Sequence, residues 1–137
     1  RKDRWGLWEF PLAYVPLDGG GARPGVLSMD YNLWVKQTGD PPSTRDTRAN
    51  SDQVLRTYRA MYRAAYTGNR PPLVLGNHFN SWNGNAYTDA LARFVEETCR
   101  KPDTLCVPYR DVIAWMKAQS PRTLAALQAR PPVYTVG

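Results

Sequence analysis

Leu73-Val74-Leu75-Gly76-Asn77-His78 is the stretch that decides how this chain folds. Its three leading apolar residues form a short continuous run, which is typical of a strand buried on both faces in a parallel sheet. The only histidine of the chain, His78, follows directly after that strand. In α/β barrels the catalytic side chains lie at the carboxyl ends of the strands. The stretch therefore predicts a buried strand with a candidate catalytic residue at its end.

A helix is predicted on either side of this strand. Before it, apolar residues recur at helical spacing from Asn50 onward, and Asn50 with Gln53 resembles a capping box. We expect this helix to end near Gly68. After the strand, a second apolar face begins at Tyr87, and Asn85 is expected to cap that helix. A strand between two helices is the repeating unit of α/β proteins.

Further along the chain the same alternation continues. Residues 105–107 are predicted as another short buried strand, residues 111–118 as a third helix, and Ser120-Pro121 as the start of a fourth helix. Residues 7–17 and 26–31 are expected to be extended. The order of elements indicates an α/β architecture with parallel pairing. Four short strands are too few for a covered parallel sheet, so we expect part of a larger barrel or sheet.

Composition limits the class of protein. The 137 residues are 42% hydrophobic and 22% charged, which suits one globular domain. No apolar run approaches the roughly 18 residues that a membrane span needs, so no span is expected. The net charge is +6, yet the six arginines between residues 45 and 70 stand singly. That spacing favours a solvated helix face over a nucleic-acid surface, so no nucleic-acid partner is predicted.

Two cysteines lie seven positions apart, with a turn signal between them. Cys99 and Cys106 flank Pro102-Asp103, which allows the chain to double back and join the sulfurs. A disulfide there would stabilise the fold by about 2.5 kcal/mol and would imply an oxidising compartment. The other interpretation is a pair of reduced, half-buried cysteines. A zinc site is less favoured, because His78 is the only further soft ligand.

Two polar residues are candidates for acid and base chemistry. Histidine exchanges protons near neutral pH, so His78 after a buried strand suits a general acid. Asp30 follows the extended segment 26–29 and is the natural residue to orient that imidazole, since strand ends converge on one face of a barrel. Both residues also have plainer interpretations: a histidine that only bonds its own loop, and an aspartate in a turn.

Aromatic residues form the second candidate feature. Trp8, Trp34 and Trp82 suit an apolar wall for an acyl group or a sugar ring, although each alone also suits core packing. Other catalytic signatures do not occur in the sequence: there is no glycine-rich phosphate loop, Cys-x-x-Cys, His-Glu-x-x-His or Gly-x-Ser-x-Gly. The residues alone therefore allow a sugar or acyl ligand, with core packing as the plainer interpretation of each tryptophan, and they name no reaction.

A family resemblance narrows this choice. It is carried by the order of four segments: Trp8-Glu9-Phe10-Pro11-Leu12, Met29-Asp30-Tyr31, Gly68-Asn69-Arg70-Pro71-Pro72 running into His78, and Val107-Pro108-Tyr109-Arg110-Asp111-Val112-Ile113-Ala114-Trp115-Met116. In this order they resemble the C-terminal half of polysaccharide deacetylases, the carbohydrate esterase family 4 or NodB-homology group. The chitin-deacetylase-like branch is the most similar. The resemblance spans most of residues 5–127.

The resemblance implies a distorted (β/α) barrel that removes N-acetyl or O-acetyl groups from sugars with a divalent metal, typically zinc. It implies that His78 is the general acid that protonates the departing amine, and that Asp30 belongs to the region that supports this histidine. The family usually has a leucine two positions before the histidine, lining the acetyl pocket. This chain has Gly76 there, so Leu75 or Trp82 is expected to form the pocket wall.

The resemblance also implies what lies elsewhere. The family's catalytic base and metal ligands belong to a Thr-Phe-Asp-Asp-like motif and a His-Ser/Thr-x-x-His motif, and neither occurs in these 137 residues. We therefore expect residues 1–137 to be a single partial domain, inactive alone, with no metal ligand of its own. Its expected partners are a complementary N-terminal segment of the same protein and a polysaccharide or oligosaccharide substrate.

Two further expectations follow from the resemblance. Secreted family members commonly carry cysteines near the position of Cys99 and Cys106, so a secreted or periplasmic location is expected. The alternative function is a catalytically silent relative that binds carbohydrate without hydrolysing it. The glycine-rich stretch 19–21 and the polar loop 39–47 are expected to contribute to the choice of glycan.

Overall fold

Five helices and one two-stranded antiparallel sheet make up the part of the chain that the computed structural model describes, residues 4–17 and 25–130. The elements are β1 (Tyr14–Val15), β2 (Val26–Leu27), α1 (Asp30–Thr38), α2 (Thr47–Thr67), α3 (Ala86–Thr98), α4 (Tyr109–Ala118) and α5 (Pro121–Gln128). The chain is mixed α/β and mostly helical. The glycines at 19–21 lie outside the described residues.

Three extended segments lie side by side around β2. β1 pairs with it antiparallel, Tyr14 opposite Leu27 and Val15 opposite Val26. The segment 73–75 lies on the other side, but the prediction of a strand buried on both faces is wrong: the segment is half-buried, and a single parallel bridge joins Met29 to the following Gly76. Its hydrogen bonds run from the Gly76 amide to the Ser28 carbonyl, 2.8 Å, and from the Asp30 amide to the Gly76 carbonyl, 3.1 Å. The predicted parallel pairing is thus present as one bridge, and the described residues form no closed barrel.

The buried Ser28 side chain ties these three segments together. Its hydroxyl accepts a hydrogen bond from the Ala13 amide, 3.2 Å, and donates one to the Val74 carbonyl, 2.9 Å. Its amide also donates to the Ala13 carbonyl at 2.9 Å. A buried hydroxyl needs partners of this kind, because an unpaired one is costly. Ser28 therefore fixes the approach of the segment that leads to His78.

The core lies mainly between α2 and α3. Both helices place an apolar face inward, as the spacing predicts, and α1 and β2 close the core from one side. The fully buried members are Val15, Leu33, Leu55, Val54, Tyr58, Met61, Ala86, Tyr87 and Ala90, with Leu17, Val26 and Phe94 slightly less buried. Helical periodicity in the sequence thus identified the two helices that carry most of the core.

The ends of α2 differ in part from the prediction. The helix begins at Thr47, after Asp46, so Asn50 lies inside the helix and does not cap it. The Asn50 side-chain amide instead donates to the carbonyl of Arg45, 3.0 Å, in the preceding loop. The predicted end is correct, because α2 stops at Thr67 before Gly68. Asn85 occupies the position before α3 as expected, but its side chain forms no capping hydrogen bond, and its backbone is left-handed at φ 68°.

Helix α1 is the main element that the sequence analysis missed. The segment 26–31 was expected to be extended, but the chain turns into a helix at Asp30. Leu33 is fully buried on its inner face, and the Leu33 amide donates to the Met29 carbonyl at 3.0 Å. Nine residues give little periodicity to recognise, so the helix depends on its contacts with β2 and α3. As a result, Asp30 stands at a strand end and a helix start at once.

The C-terminal region is attached more loosely. Neither α4 nor α5 has a fully buried residue, although Ser120 caps α5 as predicted by accepting the Thr123 amide at 3.0 Å. Tyr109 stacks on Phe10 with ring centroids 4.7 Å apart. The predicted buried strand at 105–107 is wrong: these residues form no strand, and Leu105 is 69% exposed. They lack a neighbouring strand among the described residues.

Cys99 and Cys106 form a disulfide, which decides between the two interpretations of the cysteines. The loop that it closes packs on α2, where the Tyr62 hydroxyl lies 2.7 Å from the Thr104 hydroxyl and the Tyr66 hydroxyl donates to Asp103. Of the helices described, none is both long enough and apolar enough to cross a membrane.

Candidate active site

Asp30 and His78 meet next to the parallel bridge. Asp30 follows Met29 and His78 comes two residues after Gly76, so each residue leaves the same end of one bridged segment. His78 Nδ1 lies 2.6 Å from Asp30 Oδ1, and the His78 amide donates to Asp30 Oδ2 at 2.7 Å. The Tyr31 amide donates to Oδ1 at 2.8 Å. The pairing of these two predicted residues thus follows from their positions on adjacent segments.

The two side chains differ sharply in exposure. The Asp30 side chain is 1% exposed, whereas that of His78 is 49% exposed. The carboxylate accepts a hydrogen bond from Nδ1–H, which leaves Nε2 as the ring nitrogen that faces a ligand. Asp30 also lies in the first turn of α1, where backbone N–H groups favour a negative charge. A buried carboxylate that orients a half-exposed imidazole is the arrangement used by general acids and bases.

An aromatic cluster, defined here as Tyr31, Trp34 and Trp82, lies beside the imidazole. Trp34 and Trp82 stack with centroids 5.3 Å apart, and Tyr31 meets Trp82 edge-on at 5.4 Å. The His78 ring is 5.1 Å from the Trp82 ring. The indole N–H of Trp34 donates to the Ser43 carbonyl at 2.8 Å, which fixes that ring against the loop after α1. The cluster places rigid aromatic surface next to His78.

The other two residues predicted to bind substrate are Leu75 and Trp8, and their positions do not decide that role. Leu75 is half-buried and packs against the core, and Trp8 is half-buried in the extended segment before β1. At Gly76 a Cβ atom would come within 3.1 Å of the Met29 side chain. Met29 therefore fills the space where a leucine at that position would begin. The roles of Leu75 and Trp8 in ligand binding stay predictions.

Behind Asp30 lies a set of polar groups that the sequence analysis did not single out as functional. We define the buried polar cluster as Asp30, Asn83, Tyr58 and Tyr87, all at most 1% exposed. Burial, reinforced by the Asp30 carboxylate and Tyr87, raises the pKa of Tyr58 well above its ordinary value. Burial also raises the pKa of Tyr87 to about 12, with the Asn83 side chain opposing and Asp30 adding to the rise.

The comparisons with known proteins supply no family for this chain: no family model, curated protein or solved structure matches it. The functional argument therefore rests on the residues of the site and their geometry.

A metal site does not fit the described residues. Among residues 4–17 and 25–130, no three His, Cys, Asp or Glu side chains come together closely enough to hold an ion. Both cysteines are joined to each other, and His78 Nδ1 is engaged by Asp30. The site as described offers proton transfer and an aromatic surface, and no step through a metal is derived from it.

Proposed function

We propose that this chain is part of a metal-dependent polysaccharide deacetylase and supplies its general acid, His78. The Asp30–His78 pair carries the proposal, because a buried carboxylate bonded to one ring nitrogen leaves the other nitrogen to serve a substrate. The resemblance to the carbohydrate esterase family 4 supports the same role for this histidine.

In the proposed step one proton moves from His78 to the leaving group. Water adds to the acetyl carbon of an N-acetylated sugar and gives one proton to a base expected in the upstream segment, and the bond between that carbon and nitrogen then breaks. His78 in its protonated form gives the Nε2 proton to the departing amine, so acetate and a free amino sugar leave. Asp30 stabilises the imidazolium before this transfer and holds the ring in place. The same sequence applies to an O-acetyl group, with an alcohol as the leaving group.

The fold and partner of the complete enzyme are part of the proposal. We take the chain as the C-terminal portion of a distorted (β/α) barrel, completed by an N-terminal segment that holds a divalent metal, expected to be zinc. The parallel bridge between Met29 and Gly76 supports this arrangement. Exposed apolar residues at 105–107 and on α4, including Leu105 and Trp115, support a further packing partner.

The aromatic cluster supports a carbohydrate ligand. Stacked indole rings beside the imidazole suit the apolar faces of sugar rings, and Tyr31 is 42% exposed at the edge of the cluster. The same cluster favours the second candidate function, a catalytically silent protein that binds carbohydrate. A secreted or periplasmic location is proposed because the Cys99–Cys106 disulfide persists in oxidising compartments.

Acetate release tests the catalytic proposal. The chain is assayed with zinc and N-acetylglucosamine oligomers, alone and joined to the upstream segment of its gene. We expect release only from the joined protein, and loss of at least about 100-fold in His78→Asn, the scale of general-acid catalysis. Glu96→Gln, at an exposed ion pair with Arg100, is the matched control and should retain activity. Release that is unaffected by His78→Asn would rule out the assigned role.

Glycan binding tests the second candidate. Titration calorimetry with the same oligomers should show binding that Trp82→Ala weakens and Trp115→Ala does not, since Trp115 is exposed on α4 outside the cluster. Binding without acetate release from the joined protein would favour the silent relative. Equal loss in both tryptophan variants would contradict a ligand site at the aromatic cluster.

A further inference from the structure

The buried side of the Asp30 carboxylate has one unused hydrogen-bond acceptor position. Each carboxylate oxygen accepts about two hydrogen bonds. Among the described residues, Oδ1 receives the Tyr31 amide and His78 Nδ1, whereas Oδ2 receives only the His78 amide. The carboxyl group is 1% exposed, so bulk water does not fill that position. A buried carboxylate with an unused acceptor site is expected to have a further polar neighbour.

Three polar groups of the buried polar cluster are hydrogen-bond donors that have no acceptor among the described residues. The hydroxyls of Tyr58 and Tyr87 and the side-chain N–H group of Asn83 are buried and meet no hydrogen-bond partner in the described part of the chain. The Asn83 carbonyl oxygen is already used, because it accepts the Arg45 amide at 2.8 Å. Each unpaired buried donor costs about 1–3 kcal/mol, so a hydrogen-bond acceptor for these groups is expected nearby.

The donors and the carboxylate are electrostatic neighbours. The Asp30 charge acts on the hydroxyls of both Tyr58 and Tyr87, and Tyr87 acts on Tyr58. Charge interactions weaken with distance, so these effects are strongest between groups that lie near one another. None of the three groups forms a direct hydrogen bond to Asp30, although the Asn83 side chain lies close enough to Tyr87 to oppose the rise in its pKa. One water molecule with two to four polar partners is the usual bridge across such a gap.

We propose that Tyr58 and Tyr87 are positioning residues that hold the buried side of Asp30 through one shared water. The water oxygen accepts a hydrogen bond from each tyrosine hydroxyl, and the water donates a hydrogen bond to Asp30 Oδ2. It fixes the carboxylate so that Oδ1 stays directed at His78 Nδ1. The position of the water is a matter of this chain's geometry, whereas its use in catalysis rests on the proposed deacetylase function.

The single histidine gives a direct test in the 137-residue chain. In a protein labelled with nitrogen-15, the Nδ1–H proton of His78 is the only imidazole signal of its kind. We expect Tyr58→Phe and Tyr87→Phe each to speed exchange of that proton with solvent by about tenfold, the scale for losing one hydrogen bond to a charged group. Tyr62→Phe is the matched control, because its hydroxyl bonds Thr104 away from Asp30, and it should leave the exchange rate unchanged.

The outcomes separate the proposal from its alternatives. Unchanged exchange in both Tyr58→Phe and Tyr87→Phe would overturn it, and so would an equal acceleration in Tyr62→Phe. A high-resolution crystal structure of the unmodified chain is the second measurement and needs no variant to fold. An ordered water within 3.5 Å of both hydroxyls and Asp30 Oδ2 supports the proposal, and a dry gap overturns it. Neither measurement uses activity, so failure of the deacetylase proposal leaves both results valid.

If the joined protein is active, kinetics give a third readout. A positioning role predicts that Tyr58→Phe lowers kcat while KM stays within about twofold, because the tyrosine acts through Asp30 and does not touch the substrate. Loss in KM alone would contradict the role assigned to Tyr58.

Discussion

The pair α2–α3 and the C-terminal region built from residues 105–107, α4 and α5 have similar apolar patterns and very different packing. In the first, side chains such as Tyr58 and Phe94 are buried against each other. In the second, no residue of either helix is fully buried, and Leu105 and Val107 are exposed. An apolar face at helical spacing therefore predicts a helix in both regions, but burial requires a neighbour. The candidate site residues Asp30 and His78 lie with the region that has its own core.

The largest expected difference between the two regions concerns core substitutions. Phe94→Ala removes a ring packed against Tyr58 and Tyr62 and should lower the free energy of unfolding by about 3–5 kcal/mol. Val107→Ala, at an exposed position, should change it by less than about 0.5 kcal/mol. Urea unfolding of the two variants measures both values. Similar losses would show that the C-terminal region shares the core in solution.

The disulfide should have the next largest effect. Replacing both Cys99 and Cys106 by Ser should lower the free energy of unfolding by about 2.5 kcal/mol, because the unfolded chain without the disulfide has more conformational entropy. We also expect faster cleavage by trypsin after Arg100, next to Lys101, whose ammonium group lies over the Tyr62 ring when the loop is docked. Unchanged cleavage would mean that the loop stays docked on α2 through its tyrosine contacts alone.

Alkaline pH should gradually lower the free energy of unfolding of the α2–α3 region. The unfolded pKa of Tyr87 is near its ordinary value of 10.0, and burial raises the folded pKa to about 12. The protonated hydroxyl thus stabilises the fold below pH 10, and this contribution is lost as the pH rises from 10.0 to about 12. Tyr58 acts in the same direction.

Absorbance at 295 nm during a pH titration measures this effect. Of the eight tyrosines, Tyr58 and Tyr87 should ionise last and together with unfolding. In Tyr87→Phe the loss of stability above pH 10 should be smaller than in the unmodified chain. Early, independent ionisation of all eight would contradict the burial of these two rings.

The smallest expected effect concerns the exposed ion pair between the two core helices. Arg59 on α2 contacts Glu97 on α3, and this hydrogen-bonded guanidinium holds the pKa of Glu97 below its usual value. Its contribution is present at neutral pH and is lost as the pH falls through the lowered pKa. Arg59→Ala should cost less than about 1 kcal/mol and less still in 1 M salt. A loss as large as that in Phe94→Ala would show that the pair is part of the core.

Local signals predicted local structure well. Helices α2 and α3 follow from the spacing of residues such as Val54 and Phe94, and Ser120-Pro121 marks the start of α5. Helix α1 was missed because nine residues with one fully buried apolar side chain, Leu33, resemble a strand end as much as a helix. Its formation depends on tertiary contacts, which a single sequence does not display.

The site was predictable only in part. The meeting of Asp30 and His78 follows from two strand ends on one face, a rule that works at a distance of 48 residues along the chain. Tyr58 and Tyr87 were assigned to the core because their spacing is that of core residues, and the sequence does not reveal where a hydroxyl group is left unpaired. The exposure of Leu105 depends on which segments surround it, so its apolar character alone gave the wrong burial.

Ser28 has a consequence for the register of the site. Its hydroxyl contacts Ala13 on one side and Val74 on the other, and so sets which residue of the 73–78 segment lies opposite Asp30. Side chains of an extended segment alternate between two faces, so a slip of one residue would put Asn77 where His78 stands. An asparagine offers no titratable proton. A single buried hydroxyl, four residues from His78 through Val74, thus acts with the backbone bonds of Gly76 to place an imidazole, and not an inert amide, opposite the carboxylate.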